Sequence, residues 1–181
     1  MATKQSKSTT NQKMPDDSSA LMEFFVDSLK DMYWAEKNAV KAMPKMAKKA
    51  TSQELRSALE THLAETENQV VKLEQVFASL DQKAQAKKCE AMEGLIKESE
   101  SIMSETEDGT MTRDVGIIAA AQKMEHYEIA SYGTMRTLAD VLGLPEASEL
   151  LSQILEEEKN TDVLLTQIAE GFVNQSAMGE E

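Results

Sequence analysis

Residues 25–46 read FVDSLKDMYWAEKNAVKAMPKM. At helical steps of three and four, Phe25, Leu29, Met32, Glu36, Ala39, Met43 and Met46 fall on one face. That face is apolar except for Glu36 at its centre. A second stretch gives Ile118, Ala121, Glu125, Glu128, Tyr132, Met135, Ala139 and Leu142. A third gives Leu151, Ile154, Glu158, Thr161, Leu165, Ile168 and Phe172. A fourth gives Leu55, Leu59, His62, Thr66, Gln69, Leu73, Val76 and Leu80, with Glu65 beside the seam. An unpaired carboxylate is costly to bury, so such groups are neutralised, paired or bound to a cation. Four helices that each aim an acid or an imidazole at a shared core are the layout of a metal site in a helical bundle.

The remaining composition agrees with an all-α chain. Aromatic residues make up 4% of the 181, Gly numbers 7 and Pro 3, while Met, Ala and Leu are abundant. The length suits one domain with a substantial core. A net charge of −13 disfavours nucleic acid and anionic membranes as general partners. Lys83, Lys87 and Lys88 lack interleaved aromatics and read as solvated surface. The single cysteine, Cys89, rules out an intramolecular disulfide and reads as a packed or surface thiol. No apolar run approaches membrane-spanning length, and Met1 to Asp17 carries no apolar signal core. A bacterial-type cytoplasm is the expected compartment.

Residues 1–18 are polar and read as a flexible tail. The bundle is expected over 19–173, followed by a frayed end at 174–181. The first helix should start at Ser18 or Ser19 and end near Lys49, with Pro44 kinking or splitting it. Thr51 and Glu54 have the spacing of a capping box for a second helix reaching about Leu80. A polar connector at 81–88 leads to a shorter helix over 89–105, and Asp108-Gly109 marks a break. The third long helix spans 112–142, with Gly143 as its C-terminal stop. Pro145 opens a fourth helix that runs to about Phe172. Glu36 and Glu65 lie 29 positions apart and Glu128 and Glu158 lie 30 apart. This suggests two αα-hairpins joined by a crossover that contains the short helix.

The candidate site follows from the same periodicity. Residues His62, Glu65 and Gln69 share a column on the second helix. Glu125 and Glu128 share one on the third, and Glu158 and Asp162 share one on the fourth. Antiparallel packing would bring these mid-helix positions and Glu36 to one level. Oxygen ligands with few nitrogens suit iron or manganese better than copper or structural zinc. His62 reads either as a ligand or as a core histidine bonded to a carboxylate. Tyr132 reads either as a donor to a ligand carboxylate or as core filler, and His126 as a surface residue. Tyr33, Trp34 and Tyr127 read as packing or dimer-contact residues. Nothing in the chain supports nucleophilic catalysis, since it has neither a Gly-x-Ser-x-Gly turn nor a phosphate-cradling Gly-rich loop.

The segments DMYWAEK (31–37), THLAETENQV (61–70), AAQKMEHYEIASYGTM (120–135) and LEEEKNTDVLL (155–165) resemble the YciE/YciF-type bacterial stress proteins, which are ferritin-like. The resemblance spans about Leu21 to Ala169. It implies an antiparallel four-helix bundle with a long crossover and one extra short helix, assembled as a homodimer. The implied metal ligands are Glu36, His62, Glu65, Glu125, Glu128, Glu158 and Asp162. Two iron or manganese ions are implied, one of them weak, with oxygen or peroxide as the reactant. By analogy with the fold, Glu65 and Glu128 would bridge and Glu36 and Glu158 would be terminal. The chain departs from the ferritin-like pattern of Glu followed three residues later by His. His62 precedes Glu65, and positions 68 and 161 are Asn and Thr. The rival reading is a dimeric structural or interaction bundle whose buried acids bind no redox metal. An iron-storage shell ranks below both.

Overall fold

The computed structural model describes residues 19–180; the expected tail at 1–18 lies outside them. Five helices follow in order: α1 (Ala20–Lys49), α2 (Gln53–Ser79), α3 (Glu90–Glu105), α4 (Met111–Val141) and α5 (Pro145–Ile168). A π-helical turn at Ala169–Val173 and a final turn, α6 (Asn174–Ala177), complete the chain. No helix among the described residues is long and apolar enough to cross a membrane.

The long helices form a ring in which α1 packs on α2, α2 on α5, α5 on α4 and α4 on α1. Contacts at their ends set the directions. Tyr33, early in α1, donates to Glu74, late in α2. Lys49, ending α1, bonds Asp108 just ahead of α4. Glu180, past α5, bonds the first residues of α4. All four ring neighbours are therefore antiparallel, while α2 and α4 start at the same end. The chain must climb the bundle to begin α4 there, and α3 makes that climb against α1 and α4. Gly116 permits the approach, because a Cβ there would meet Ile102 Cγ2 at 2.5 Å.

Helices α1 to α4 each start on a side-chain cap, while α5 starts on Pro145 without one. Ser19 accepts from the Met22 N–H, Cys89 Sγ from Met92, and Thr110 from Arg113. The cap of α2 corrects the sequence expectation. Ser52, not Thr51, accepts from the Leu55 N–H, and the Thr51 hydroxyl donates to the Thr110 carbonyl. Buried Asp114 of α4 takes the N–H groups of Thr51 and Ser52 at 2.6 and 2.7 Å, which pins the α1–α2 turn to α4. Gly143 ends α4 at φ +69°, a left-handed turn that glycine enters without a Cβ clash.

Of the two expectations for Pro44, a kink or a split, the split is excluded, because α1 runs unbroken from Ala20 to Lys49. The proline lies on the exposed face, so water can serve the Val40 carbonyl that its ring leaves without a donor, while Met43 and Met46 stay buried. Beyond 173 the chain adds a helical turn at Asn174–Ala177. The π turn inserts one residue and moves the inward position from Phe172 to Val173, which is buried. The Glu180 carboxylate then accepts from the N–H groups of Met111 and Thr112, at the positive end of α4.

Candidate metal centre

At mid-height the ring turns five ionisable side chains into the core: Glu36 from α1, His62 from α2, Glu125 and Glu128 from α4, and Glu158 from α5. All five are buried. Apolar seam residues flank the layer, among them Met32, Met46, Leu59, Ala121, Ile154 and Leu165, while Thr66, Gln69 and Thr161 are buried polar neighbours on α2 and α5. A cavity of about 10 Å³, lined by Ala39, Met43, Met46 and Met124, abuts His62, Glu125 and Glu128. It has room for about one water-sized molecule.

The imidazole of His62 organises the layer. Its Nε2 lies 3.2 Å from Glu125 Oε1 and 3.7 Å from Glu158 Oε2. Its Nδ1 points the other way, 3.1 Å from Thr161 Oγ1 and 3.6 Å from Glu65 Oε2. Donor atoms from His62, Glu125 and Glu158 all lie within 4.8 Å of one another. Two ligands held at about 2.1 Å stand about 3.0 Å apart across an octahedral edge and about 3.4 Å apart across a tetrahedral one. The 3.2 Å spacing to Glu125 falls between those edges, and the 3.7 Å spacing to Glu158 is slightly longer than either. Tyr132 donates its hydroxyl to Glu36 Oε1, which makes it the carboxylate donor that its seam position suggested.

The oxygens facing inward have almost no donors. Glu36 Oε2, Glu125 Oε2, Glu128 Oε1 and both oxygens of Glu158 are buried without a hydrogen-bond partner, as is Gln69 Oε1. Native interiors seldom leave such atoms unpaired. Burial raises the Glu36 carboxyl to about 7, against the lowering effect of the Tyr132 bond. Burial also drives Glu128 well up, helped by the negative charges of Glu36, Glu158 and Glu125. Glu158 rises for the same cause, with Glu125 as its nearest negative neighbour. Burial opposes the charged form of His62, but the carboxylates of Glu125, Glu65 and Glu158 outweigh it and hold its pKa well above the usual value. Metal-free, the layer is a proton-binding cluster. The same oxygens are the ones that would be available to a cation.

Two of the seven candidate residues stand apart. Glu65 faces Nδ1, the outer nitrogen of His62, and its side chain is 42% exposed. Asp162 turns into the groove between α4 and α5, where it meets Gln122 and His126. Nor is Asp162 equivalent to Gln69, its partner in the apparent duplication. Gln69 is fully buried and donates to Glu157, which also pairs with Lys72. Asp114 escaped the sequence reading, although it lies one turn before Ile118 on the same seam. Cys89 is buried at 3.0 Å from the Tyr127 hydroxyl, which donates to Asp31. Lys87 and Lys88 are surface residues paired with Asp27 and with Glu90 and Glu93.

A family model described as a domain of unknown function, DUF892, matches residues 20–178. The chain belongs to the DUF892 family. It is 46% identical over 156 residues to Protein YciF of Escherichia coli (strain K12), covering 86% of this chain and 93% of YciF. The crystal structure of the E. coli stress protein YciF superposes with a TM-score of 0.82 at 44% identity, over 87% of this chain and 99% of that one. YcfI of Rhodopseudomonas palustris gives a TM-score of 0.80 at 38% identity, over 85% and 98% of the two chains. The YciF-type resemblance and the ferritin-like bundle with its crossover helix are thus both shown.

Proposed function

We propose that this DUF892 protein binds iron or manganese within its bundle and serves the stress response, as its similarity to the stress protein YciF suggests. The observation that carries the reading is the set of buried, donorless carboxylate oxygens around His62 Nε2. Oxygens in that state favour a cation over any apolar or neutral occupant. His62, Glu125 and Glu158 would hold the tighter ion, and Glu36 and Glu128 a weaker second one. An imidazole with several carboxylates suits iron or manganese. When bound, such a metal would supply redox chemistry toward oxygen or peroxide. The protein's own part is to fix the ligands on four rigid helices, exclude bulk water with the Met- and Ala-rich layers, and hold Glu36 through the Tyr132 hydroxyl. Thr161 and Glu65 would take the Nδ1 proton and so orient His62 toward the ion.

Elemental analysis of protein purified without chelator, and again after anaerobic iron(II) loading, tests the reading. At least one tightly held ion per chain is expected, lost in Glu158→Gln. A folded protein that takes up no iron or manganese would overturn it. A second reading has one observation in its favour: the raised carboxyls of Glu36 and Glu128 can stay neutral by holding protons, and His62 is paired with Glu125, so the layer can be neutralised without metal. The bundle would then be a structural or interaction protein, a role suggested for YcfI. In either case we expect a cytoplasmic homodimer, and light scattering checks the assembly.

A further inference from the structure

Outside the buried layer, α4 and α5 build a second polar cluster from residues that the proposed centre does not use. Asp162 Oδ1 stands 3.3 Å from His126 Nε2 and 3.0 Å from Gln122 Nε2. Gln122 Nε2 is also 2.8 Å from Thr166 Oγ1. The His126 side chain is 69% exposed and that of Asp162 is 22% exposed, so the cluster opens to solvent. Its position is not arbitrary. Gln122 and His126 bracket Glu125 on α4, and Asp162 lies one turn beyond Glu158 on α5. The helix pair that sends Glu125 and Glu158 inward thus presents three further donors at its outer edge.

Their chemistry is that of a transition-metal site. The 3.3 Å separation of imidazole nitrogen and carboxylate oxygen lies between the octahedral and tetrahedral edges of about 3.0 and 3.4 Å. The two ends of the Gln122 amide are assigned from its hydrogen bonds. Without an ion the nitrogen faces Asp162 Oδ1, the Asp162 carbonyl at 3.4 Å and Thr166 Oγ1; a bound cation would turn the amide over, so that Oε1 becomes a third ligand and the Thr166 hydroxyl donates to it. One imidazole, one carboxylate and one amide oxygen, completed by water, suit a borderline divalent ion held weakly and exchangeably. The net charge of −13 raises the local concentration of such ions.

We infer that His126, Asp162 and Gln122 form an outer docking site for a divalent transition-metal ion and deliver it to the buried centre. The delivery step rests on the metal-binding reading above; the docking site does not. The chain contains two histidines, one in each site, so their ring nitrogens report the sites separately. Protein labelled with ¹⁵N-histidine is titrated with Zn(II), a diamagnetic stand-in, as wild type, Glu158→Gln and Asp162→Asn. The expected result is a coordination shift of His126 Nε2 in wild type and Glu158→Gln that disappears in Asp162→Asn. A His126 signal that does not move overturns the outer site, whatever His62 does. A shift at His126 with none at His62 keeps the outer site and sinks the buried one. If Glu158→Gln does not fold, the wild-type and Asp162→Asn pair carries the same test. For delivery, Mn(II) uptake is timed by loss of the free-ion electron paramagnetic resonance signal. His126→Ala should slow it about ten-fold, with the end point lowered by no more than the one outer ion. An unchanged rate overturns delivery.

Discussion

Asp114 and Glu158 are both fully buried carboxylates in the same bundle, and they behave as opposites. Both oxygens of Asp114 accept backbone N–H groups, from Thr51 and Ser52. Neither oxygen of Glu158 has a donor. The first acid satisfies a helix start and a turn that would otherwise bury unpaired N–H groups. The second has lone pairs aimed at other acids and at one imidazole. Burial of an acid therefore does not mark a functional site. What marks it is the capacity left over after the protein's own donors are counted.

The contrast breaks most sharply under mutation. Asp114→Ala should destabilise the fold by about 3 kcal/mol, because it strands two buried donors and unties the α1–α2 turn from α4. Urea denaturation should show this equally with and without metal. Glu158→Gln should do the reverse. It should cut metal affinity by more than about 100-fold, while the metal-free protein becomes about 1 kcal/mol more stable, because the neutral amide needs no proton taken up on folding. Equal destabilisation by both substitutions in metal-free protein would erase the distinction. Calorimetry with and without iron(II) reads both.

A smaller effect follows from pH. The Glu36 carboxyl is raised by burial from 4.5 to about 7, so the folded chain holds a proton that the unfolded chain releases. Stability of the metal-free protein should then fall as pH rises through that window. Glu128 and Glu158, raised by burial, and His62, raised by the carboxylates around it, act with the same sign. Melting of chelator-treated protein should occur several degrees lower at pH 8 than at pH 5.5, at about 2–4 °C per kcal/mol. Bound metal should flatten the slope, because the carboxylates are then held ionised in the folded state.

The inner layer was legible in sequence because its residues interrupt apolar seams, and seams map onto the core wherever long helices pack antiparallel. Glu36, His62, Glu125, Glu128 and Glu158 all occupy seam positions and all are buried. The helices were legible for the same reason, with their ends fixed to within a residue or two by Ser19, Gly143 and Pro145. The outer residues were misjudged by spacing alone. Asp162 is four residues from Glu158, but the seam continues through Thr161 and Leu165, so Asp162 faces the α4 groove. Asp114 depends on where a distant turn packs, and no local pattern encodes that. The π turn at Ala169–Val173 is likewise set by tertiary packing, since it brings buried Val173 into line.

The finest test concerns Glu65, which lies beside the seam and not on it. Its carboxylate is 3.6 Å from His62 Nδ1, and that contact holds its own pKa below the usual range. As an outer partner of the imidazole it would fix the ring orientation and raise its basicity without touching the ion. Glu65→Gln should then lower metal affinity by only about ten-fold and leave the number of ions bound unchanged. As a bridging ligand, by contrast, Glu65 would be needed for the second ion, and its loss would reduce the stoichiometry. Titration calorimetry separates the two outcomes, because one changes the binding constant and the other the number of sites. Thr161 shares Nδ1 with Glu65 at 3.1 Å. Thr161→Val in the Glu65→Gln background should therefore cost more than it does alone, because it leaves Nδ1 with only a neutral amide oxygen as acceptor.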